Sequence, residues 1–256
     1  GIGGPEPEQY ADNARVAVER GFTAVKMTPF PDPVRYIDTP AVADRIVARV
    51  EATREAVGPD IDIAIDFHRA VSPAMAKILL KELEPIRPLF VEEPTHPENV
   101  DALLEITRST HIPIATGERN TTRWGFREIC EKKAAAILQP DIRHCGGILE
   151  MKKIAALAEV HYLAMAPHSA ADAVGVVAAL HAMAGTPNFL IQEFGGGTGE
   201  GLFTEPLTLE DGFVAIPQGP GLGFEIDPDG LEALRLRDWR LRSMRRHPED
   251  NSINDI

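Results

Sequence analysis

The sequence predicts a parallel α/β barrel, and three observations support this fold class. Short apolar, β-prone runs alternate with segments of helical periodicity, which is typical of a parallel sheet covered by helices. The apolar runs are continuous rather than alternating, as expected for strands that are buried on both faces. The length of 256 residues fits one barrel, a fold that usually takes about 250 residues.

Helices and strands are predicted in strict alternation, starting with a helix. The spacing of apolar residues predicts helices at residues 6–20, 43–57, 73–84, 100–110, 122–133, 148–160 and 171–185. The predicted strands are FTAVKM (22–27), IDIAID (61–66), PLFVEE (88–93), PIATGE (113–118), AAAILQP (134–140), YLAMAP (162–167) and FLIQEF (189–194).

A closed barrel of this kind needs an eighth strand in front of the first helix. Only GIGG (1–4) stands there, and it fits the end of a strand followed by its loop. We therefore expect the chain to start inside its first barrel strand. Either the natural protein is longer at its N-terminus, or these 256 residues are a fragment. The predicted architecture is a modified, (β/α)7β-like barrel over residues 1–194.

The composition changes after the last predicted strand. Residues 195–230 are rich in glycine and proline, which favours surface loops over another strand–helix unit. The tail from Leu236 contains the basic run LRDWRLRSMRR. We expect residues 195–256 to pack on the barrel, with the tail either exposed to solvent or docked on a further domain or a neighbouring subunit.

Charge and composition argue against several classes of function. The net charge of −13 disfavours a nucleic-acid partner, which would need a basic face. No apolar run reaches the roughly 18 residues of a membrane span, and no basic-plus-apolar signal segment is recognisable. Cys130 and Cys145 lie outside any CxxC pair and fit reduced thiols. These features predict a cytoplasmic protein without a membrane partner.

Three consecutive strands are predicted to end in a carboxylate. Asp66, Glu92 and Glu118 lie 26 residues apart, and the strand ends of a parallel barrel meet at one mouth. Carboxylates are the hard oxygen ligands that Mg²⁺ prefers, whereas Zn²⁺ would want His or Cys. The sequence therefore predicts a magnesium site. Glu93 competes with Glu92 for the second position, because adjacent strand residues face opposite sides.

The other strand ends bring further ionisable groups to the same mouth. His168 and Asp141 end neighbouring strands, where the carboxylate would hold the imidazole in one tautomer and raise its basicity. His68 lies two residues beyond the first carboxylate and shares its face if the strand continues. Lys26 is either an oxyanion stabiliser or a lysine of the rim, and Glu193 ends the last predicted strand.

Signature motifs of several other enzyme classes are missing. The sequence has no GxGxxG after a strand, no GxxxxGK[ST] and no GxSxG, and no helical signal follows the glycine-rich GGGTGEG (195–201). A magnesium site flanked by bases, without a nucleophile or cofactor loop, favours abstraction of a proton next to a carboxylate. In such chemistry the metal neutralises the substrate anion and stabilises an enediolate.

Several long motifs are specific enough to carry a family resemblance. They are GFTAVKM, DFHRAVSPAMAKILLKELEPIRPLFVEEP, IPIATGER, AILQPDIRHCGG, APHS, FLIQEF and GPGLGFEID. With these motifs the chain resembles the enolase superfamily, in its mandelate racemase branch, and especially the galactonate-type sugar-acid dehydratases. The resemblance covers nearly the whole chain.

The resemblance implies a role for each residue at the mouth. Enolase-superfamily sites are known to combine Mg²⁺ with Lys or His bases. The implied magnesium ligands are Asp66, Glu92 and Glu118. By the same resemblance, His168 with Asp141 is the dyad that removes the proton at C2 of the substrate.

The remaining implied roles concern the departing hydroxyl and the substrate carboxylate. His68 resembles the acid that protonates the leaving 3-hydroxyl, and Glu193 the acid that contacts the carboxylate or the intermediate. Racemases of this branch have Lys-x-Lys on the second strand, whereas this chain has Lys26, Met27 and Thr28. The missing second lysine weakens a racemase interpretation and leaves elimination intact.

The resemblance thus implies Mg²⁺-dependent dehydration of a small-molecule aldonate to a 2-keto-3-deoxy acid, in a homo-oligomer. A racemase or epimerase on the same metal, and a non-catalytic barrel, remain alternatives. The segments EEPTHPENV and GERNTTRW depart from the galactonate pattern, so the resemblance does not identify the sugar acid.

Family members also carry an N-terminal α+β capping domain of about 100 residues. Without it and most of the first strand, we expect the chain alone to be inactive or poorly folded.

Overall fold

The structure is a computed structural model that describes residues 1–30, 34–169, 172–195 and 197–234. Its centre is a parallel sheet in which each strand pairs with the next one along the chain. The strands are β1 (Ala24–Met27), β2 (Asp62–Asp66), β3 (Phe90–Glu92), β4 (Ile114–Thr116), β5 (Ile137–Leu138) and β6 (Ala164–Met165). The predicted parallel α/β architecture is confirmed.

Helices alternate with these strands, and each predicted helix is present with slightly different ends. They are α1 (Pro7–Glu19), α2 (Pro40–Val57), α3 (Pro73–Leu83, followed by a 3-10 turn at Glu84–Ile86), α4 (Val100–Thr107), α5 (Thr122–Lys132), α6 (Gly147–Val160) and α7 (Ala173–Met183). Proline begins α1, α2 and α3, where its missing N–H costs no helical hydrogen bond. Ser72 and Asn99 cap α3 and α4 by accepting from backbone N–H groups. Position 171, the predicted start of α7, lies outside the described residues.

Two short backbone pairings extend the sheet at its edges. Ile2 forms a parallel bridge with Met27, and its N–H donates to the carbonyl of Lys26 at 2.7 Å. The residues before α1 therefore lie beside β1, where the sequence predicts the end of a first strand. At the opposite edge, Phe189 forms a parallel bridge with Met165.

The last predicted strand, FLIQEF (189–194), is wrong in its extent. The N–H of Leu190 donates to the carbonyl of Met165 at 2.8 Å, but the next partner in the ladder is Pro167, which has no N–H to donate. Glu193 reaches the carbonyl of Pro167 only at 3.4 Å. The segment follows the path of a strand without forming a regular ladder.

The alternation of side chains along the strands separates the buried residues into two layers. One set of strand residues packs against the surrounding helices in the main core, together with the fully buried Phe67 and Phe126. The alternate set forms a second cluster, which we assign to the barrel interior. Its buried members are Ala64, Phe90, Ala115, Ile137 and Ala166.

The region after the barrel contains more regular structure than predicted. It has a hairpin of β7 (Leu209–Glu210) and β8 (Phe213–Val214), and the short helix α8 (Pro228–Ala233). Asp211 and Gly212 take the positive φ angles of 49° and 80° that a tight two-residue hairpin turn requires. The prediction of loops is therefore wrong for these three elements, and the Asp-Gly pair, a strong signal for a two-residue hairpin turn, explains the hairpin.

This C-terminal region packs on the barrel through apolar contacts. Phe203 and Leu207 are buried in one cluster with Ala173, Val176 and Val177 of α7. The basic tail lies outside the described residues, so its packing, like the division of the chain at residue 194, stays a prediction. Within the described residues, no helix is long and apolar enough to cross a membrane.

Candidate active site

The two-residue period of the strands carries polar side chains into the barrel mouth. The interior cluster includes Ala64, Phe90, Ile137 and Ala166, with Ile191 packed beside it. A side chain two positions further along a strand lies on the same face. The residues at those positions are Asp66, Glu92, Gln139, His168 and Glu193. Four strands and the irregular segment that carries Glu193 thus each deliver a polar group to one place.

The fourth strand departs from this rule at Gly117. Since Ala115 faces the interior, the two-residue period would bring position 117, not position 118, to the mouth. Gly117 has a φ of +135°, a region open to glycine and strained for other residues. This turn redirects the chain, so that the carboxylate of Glu118 joins those of Asp66 and Glu92.

A Gly117→Ala variant is expected to be destabilised by about 2–4 kcal/mol. The added methyl group would lie 2.6 Å from Cε1 of the buried Phe126 and 3.1 Å from the backbone nitrogen of Gln139, on a strained backbone. Urea unfolding measures the loss. The matched control is Gly58→Ala, where φ is +76° and no atom lies within 4 Å of the new methyl group. Equal losses in both variants would contradict the packing argument.

Asp66, Glu92 and Glu118 form a buried acidic cluster. One ligand oxygen from each lies within 4.8 Å of the others, and their side chains are almost inaccessible to solvent. Burial, together with the charge of Asp66, raises the pKa of Glu92 to about 8 against the opposing effect of Lys26. Burial also raises the pKa of Asp66 to about 6. With a ligand oxygen from each residue so close to the others, the three carboxylates fit a divalent cation with oxygen ligands.

Lys26 lies inside the site rather than on an exposed rim. Its Nζ is 2.7 Å from Oε1 of Glu92, 3.0 Å from Oε1 of Glu193 and 3.8 Å from Oδ2 of Asp66. Burial alone would lower the pKa of Lys26, but these three carboxylates raise it above its usual range. The side chain is therefore a fixed positive charge beside the acidic cluster.

The structure separates the roles of the two adjacent glutamates. Glu92 faces the mouth, where Nε2 of Gln139 donates to its Oε2 at 2.8 Å. Glu93 has a φ of +45° and is fully buried beneath the acidic cluster. It accepts from Nη1 of Arg69 at 2.8 Å, and the same nitrogen donates to Oε1 of Glu118 at 2.6 Å. The competition between the two glutamates is thus resolved, with Glu92 in the cluster and Glu93 behind it.

His168 and Asp141 lie together, with Nδ1 of the imidazole 2.9 Å from Oδ2 of the carboxylate. The other ring nitrogen, Nε2, lies 3.4 Å from Oε2 of Glu118 and 3.9 Å from Oε2 of Glu193. Burial alone would lower the pKa of His168, but the bond to Asp141 and the neighbouring carboxylates raise it. Arg143 also donates to Asp141, through Nη2 at 2.6 Å and Nε at 3.0 Å. The imidazole is thus held on one side and directed at the acidic cluster on the other.

His68 reaches the site by a different route from the one its spacing predicts. Strand β2 ends at Asp66, and His68 has a φ of +47°, so it does not continue the strand face. Its backbone N–H donates to Oδ1 of Asp66 at 2.7 Å. Burial, followed by the charge of Arg69, lowers the pKa of the imidazole, while the charge of Glu118 opposes this shift. His68 is therefore a half-buried group at the edge of the cluster.

Glu193 lies between the lysine and the dyad. In addition to its contact with Lys26, its Oε2 accepts from the backbone N–H of Ser169 at 2.7 Å. All eight residues proposed from the sequence therefore lie around one mouth. Sequence reasoning missed three further polar residues of this site, Arg69, Gln139 and Arg143. Gln139 shares the two-residue spacing and was detectable, whereas both arginines lie in loops where no periodic signal operates.

A comparison with protein families identifies the group to which this barrel is related. The model of the enolase C-terminal domain-like family matches residues 9–230. The chain belongs to this family. Its placement in the enolase superfamily, among relatives of the galactonate dehydratases, confirms the resemblance that the motifs carry.

Curated relatives and solved structures agree with this placement. The chain is 39% identical to a D-galactonate dehydratase of Verminephrobacter eiseniae and 38% identical to one of Ralstonia pickettii, with 93% of this chain aligned in both. A mandelate racemase/muconate lactonizing enzyme-like protein of Rubrobacter xylanophilus superposes with a TM-score of 0.85 at 38% identity over 90% of this chain. A member of the enolase superfamily from Salmonella Typhimurium gives 0.83 at 30% identity over 89%.

The chain spans about two thirds or less of these proteins. It covers 65% of the length of both curated relatives, and 62% and 61% of the two solved chains. The barrel matched here is therefore one part of those longer proteins.

Proposed function

We propose that this barrel dehydrates an aldonate, a sugar acid of galactonate type, to a 2-keto-3-deoxy acid with the help of Mg²⁺. One observation carries the proposal: His168 is held by Asp141 through Nδ1 while its Nε2 lies beside the buried acidic cluster. A base in this position meets the α-carbon of a substrate whose carboxylate lies at the cluster. The curated relatives of this chain are named D-galactonate dehydratases, which supports the same chemistry.

Asp66, Glu92 and Glu118 would hold Mg²⁺. When bound, the ion would neutralise the substrate carboxylate and thereby make the neighbouring C2 proton more acidic. Lys26 adds a fixed positive charge on the same side of the site. Glu193 orients the Lys26 ammonium group by accepting from it at 3.0 Å.

His168 takes the C2 proton onto Nε2, and the electrons of the C2–H bond form the C1=C2 double bond of the enediolate. Asp141 keeps the Nδ1 proton in place and stabilises the imidazolium that results. The enediolate then expels the 3-hydroxyl, which leaves as water after receiving a proton from His68. The resulting enol loses the proton of its 2-hydroxyl and takes up a proton at C3, which gives the 2-keto acid. His168 releases its proton to solvent and His68 regains one, so that one water molecule is lost overall.

The geometry of Lys26 favours dehydration over racemisation. A racemase needs a second base on the opposite face of the substrate, and Lys26 is the lysine in reach. Glu92, Glu193 and Asp66 surround its amino group and favour the ammonium form, which has no free electron pair with which to act as a base. In heavy water a dehydratase yields keto acid, whereas a racemase yields α-deuterated substrate without keto acid.

The test is a panel of sugar acids with Mg²⁺, including galactonate, gluconate and arabinonate, on this chain and on a version extended to the full length of its relatives. Formation of a 2-keto-3-deoxy acid is followed by its semicarbazone absorbance. We expect turnover of at least one aldonate and loss of that turnover on chelation. Binding of Mg²⁺ by the extended protein without turnover of any panel member, but with α-deuteration, would overturn dehydration in favour of racemisation.

A further inference from the structure

A buried arginine lies directly against one of the three proposed metal ligands. Nη1 of Arg69 donates to Oε1 of Glu118 at 2.6 Å and to Oε2 of Glu93 at 2.8 Å. Arg69 is 5% exposed and Glu93 is inaccessible. One guanidinium nitrogen thus bridges a carboxylate of the acidic cluster and a carboxylate outside it.

The charge of Arg69 creates a conflict at this position. A guanidinium bound to Glu118 neutralises part of the negative charge that a divalent cation would use. The same hydrogen bond also fixes Oε1, which leaves Oε2 directed into the site, 3.4 Å from Nε2 of His168. Arg69 helps cation binding by orienting Glu118 only if another group balances its charge.

The carboxylate of Glu93 is placed to balance the charge of the Arg69 guanidinium. Its Oε2 faces Arg69, while its Oε1 accepts from the hydroxyl of Thr116 and from the backbone N–H of Gly117 at 3.2 Å. With both oxygens bound, the carboxylate is fixed in place. It therefore holds the guanidinium in one position and supplies a full counter-charge inside the protein.

We infer that Glu93 is a positioning residue that sets the cation affinity of this barrel. It anchors Arg69, so that Arg69 orients Glu118 without neutralising it. The inference rests on the proposed function, because it takes the acidic cluster as the Mg²⁺ site. Residues that hydrogen-bond metal ligands typically change metal affinity by about 10- to 100-fold when they are removed.

The test is a Glu93→Gln variant, which keeps the shape of the side chain and removes its charge. The guanidinium then has Glu118 as its remaining carboxylate partner in this network, and we expect the Kd for Mg²⁺ to rise at least about 10-fold by calorimetric titration. The electron paramagnetic resonance spectrum of bound Mn²⁺ is expected to change as well, because the orientation of Glu118 changes. The matched control is Glu150→Gln, since Glu150 is also bound by an arginine, Arg123, at 2.7 and 2.8 Å.

A milder variant protects the test against a failure to fold. Thr116→Val removes one hydrogen bond to Glu93 and leaves every charge in place, so we expect a smaller rise in Kd in a folded protein. Wild-type affinity in a folded Glu93→Gln protein, or in Thr116→Val if the first variant does not fold, would overturn the inference alone. Absence of Mg²⁺ and Mn²⁺ binding in the wild type would overturn the metal site, and the inference with it.

Discussion

A His168→Asn variant is expected to lose about 10³-fold in the rate of dehydration while its affinity for Mg²⁺ changes little. The substitution removes Nε2, the nitrogen that lies 3.4 Å from Glu118 and faces the proposed position of the substrate. An asparagine amide cannot accept a proton at neutral pH, but its NH₂ group can still donate to Asp141. The measurement is the initial rate of keto-acid formation from the aldonate identified in the panel.

Two comparisons separate loss of the base from general damage. His111→Asn is the matched control, because His111 is bonded through its backbone N–H to Glu84 at 2.9 Å and lies outside the mouth. The exchange of the C2 proton with heavy water should fall together with turnover if His168 removes that proton. A full dehydration rate in His168→Asn would refute the assignment of the base.

A Glu92→Gln variant is expected to lose both activity and stabilisation by Mg²⁺. In the wild type, a cation at 100 times its Kd should raise the free energy of unfolding by about 2.7 kcal/mol, since it binds only the folded state. Glu92 is inaccessible and its pKa is raised to about 8 by burial, so its charge costs stability when no cation is present. The neutral amide should therefore leave the metal-free protein as stable as the wild type, or more so.

Thermal unfolding with and without Mg²⁺ measures both effects. Lys26 keeps Glu193 and Asp66 as partners in the variant, so no uncompensated cation is left behind. Glu105→Gln is the control, because Glu105 pairs with Lys77 on the surface and should leave the response to Mg²⁺ unchanged. An equal rise in melting temperature on addition of Mg²⁺ to wild type and Glu92→Gln would remove Glu92 from the ligand set.

Sequence reasoning succeeded where regular geometry decides the outcome. A strand repeats every two residues, so an apolar run that ends in Asp66 or Glu92 can be assigned to the mouth without coordinates. The same rule places His168 two positions after Ala166. It also applies to Gln139, a neutral residue two positions after Ile137.

The limits of that reasoning lie where the backbone leaves regular geometry. The spacing of 26 residues predicts Glu118 at the mouth but not the positive φ of Gly117 that brings it there, and Arg69 has a φ of +61° in the loop after β2. The irregular last strand follows from a property of Pro167, its missing N–H, that acts across the ladder and not along the sequence. Such contacts depend on which loops meet in space, and a single sequence contains no periodic signal for them.

The apolar layer inside the barrel has a consequence for how small molecules enter and leave the site. Ala64, Phe90, Ala115, Ile137 and Ala166 are each at most 5% exposed, and they lie on the strands before the polar groups begin. They form an apolar layer inside the barrel, on the strand side of the polar groups. Under the proposed function, the substrate and the product would both use the mouth where those polar groups lie. A product that leaves slowly therefore blocks the next molecule from entering, and the departure of the product becomes a step that can limit the turnover of the whole cycle.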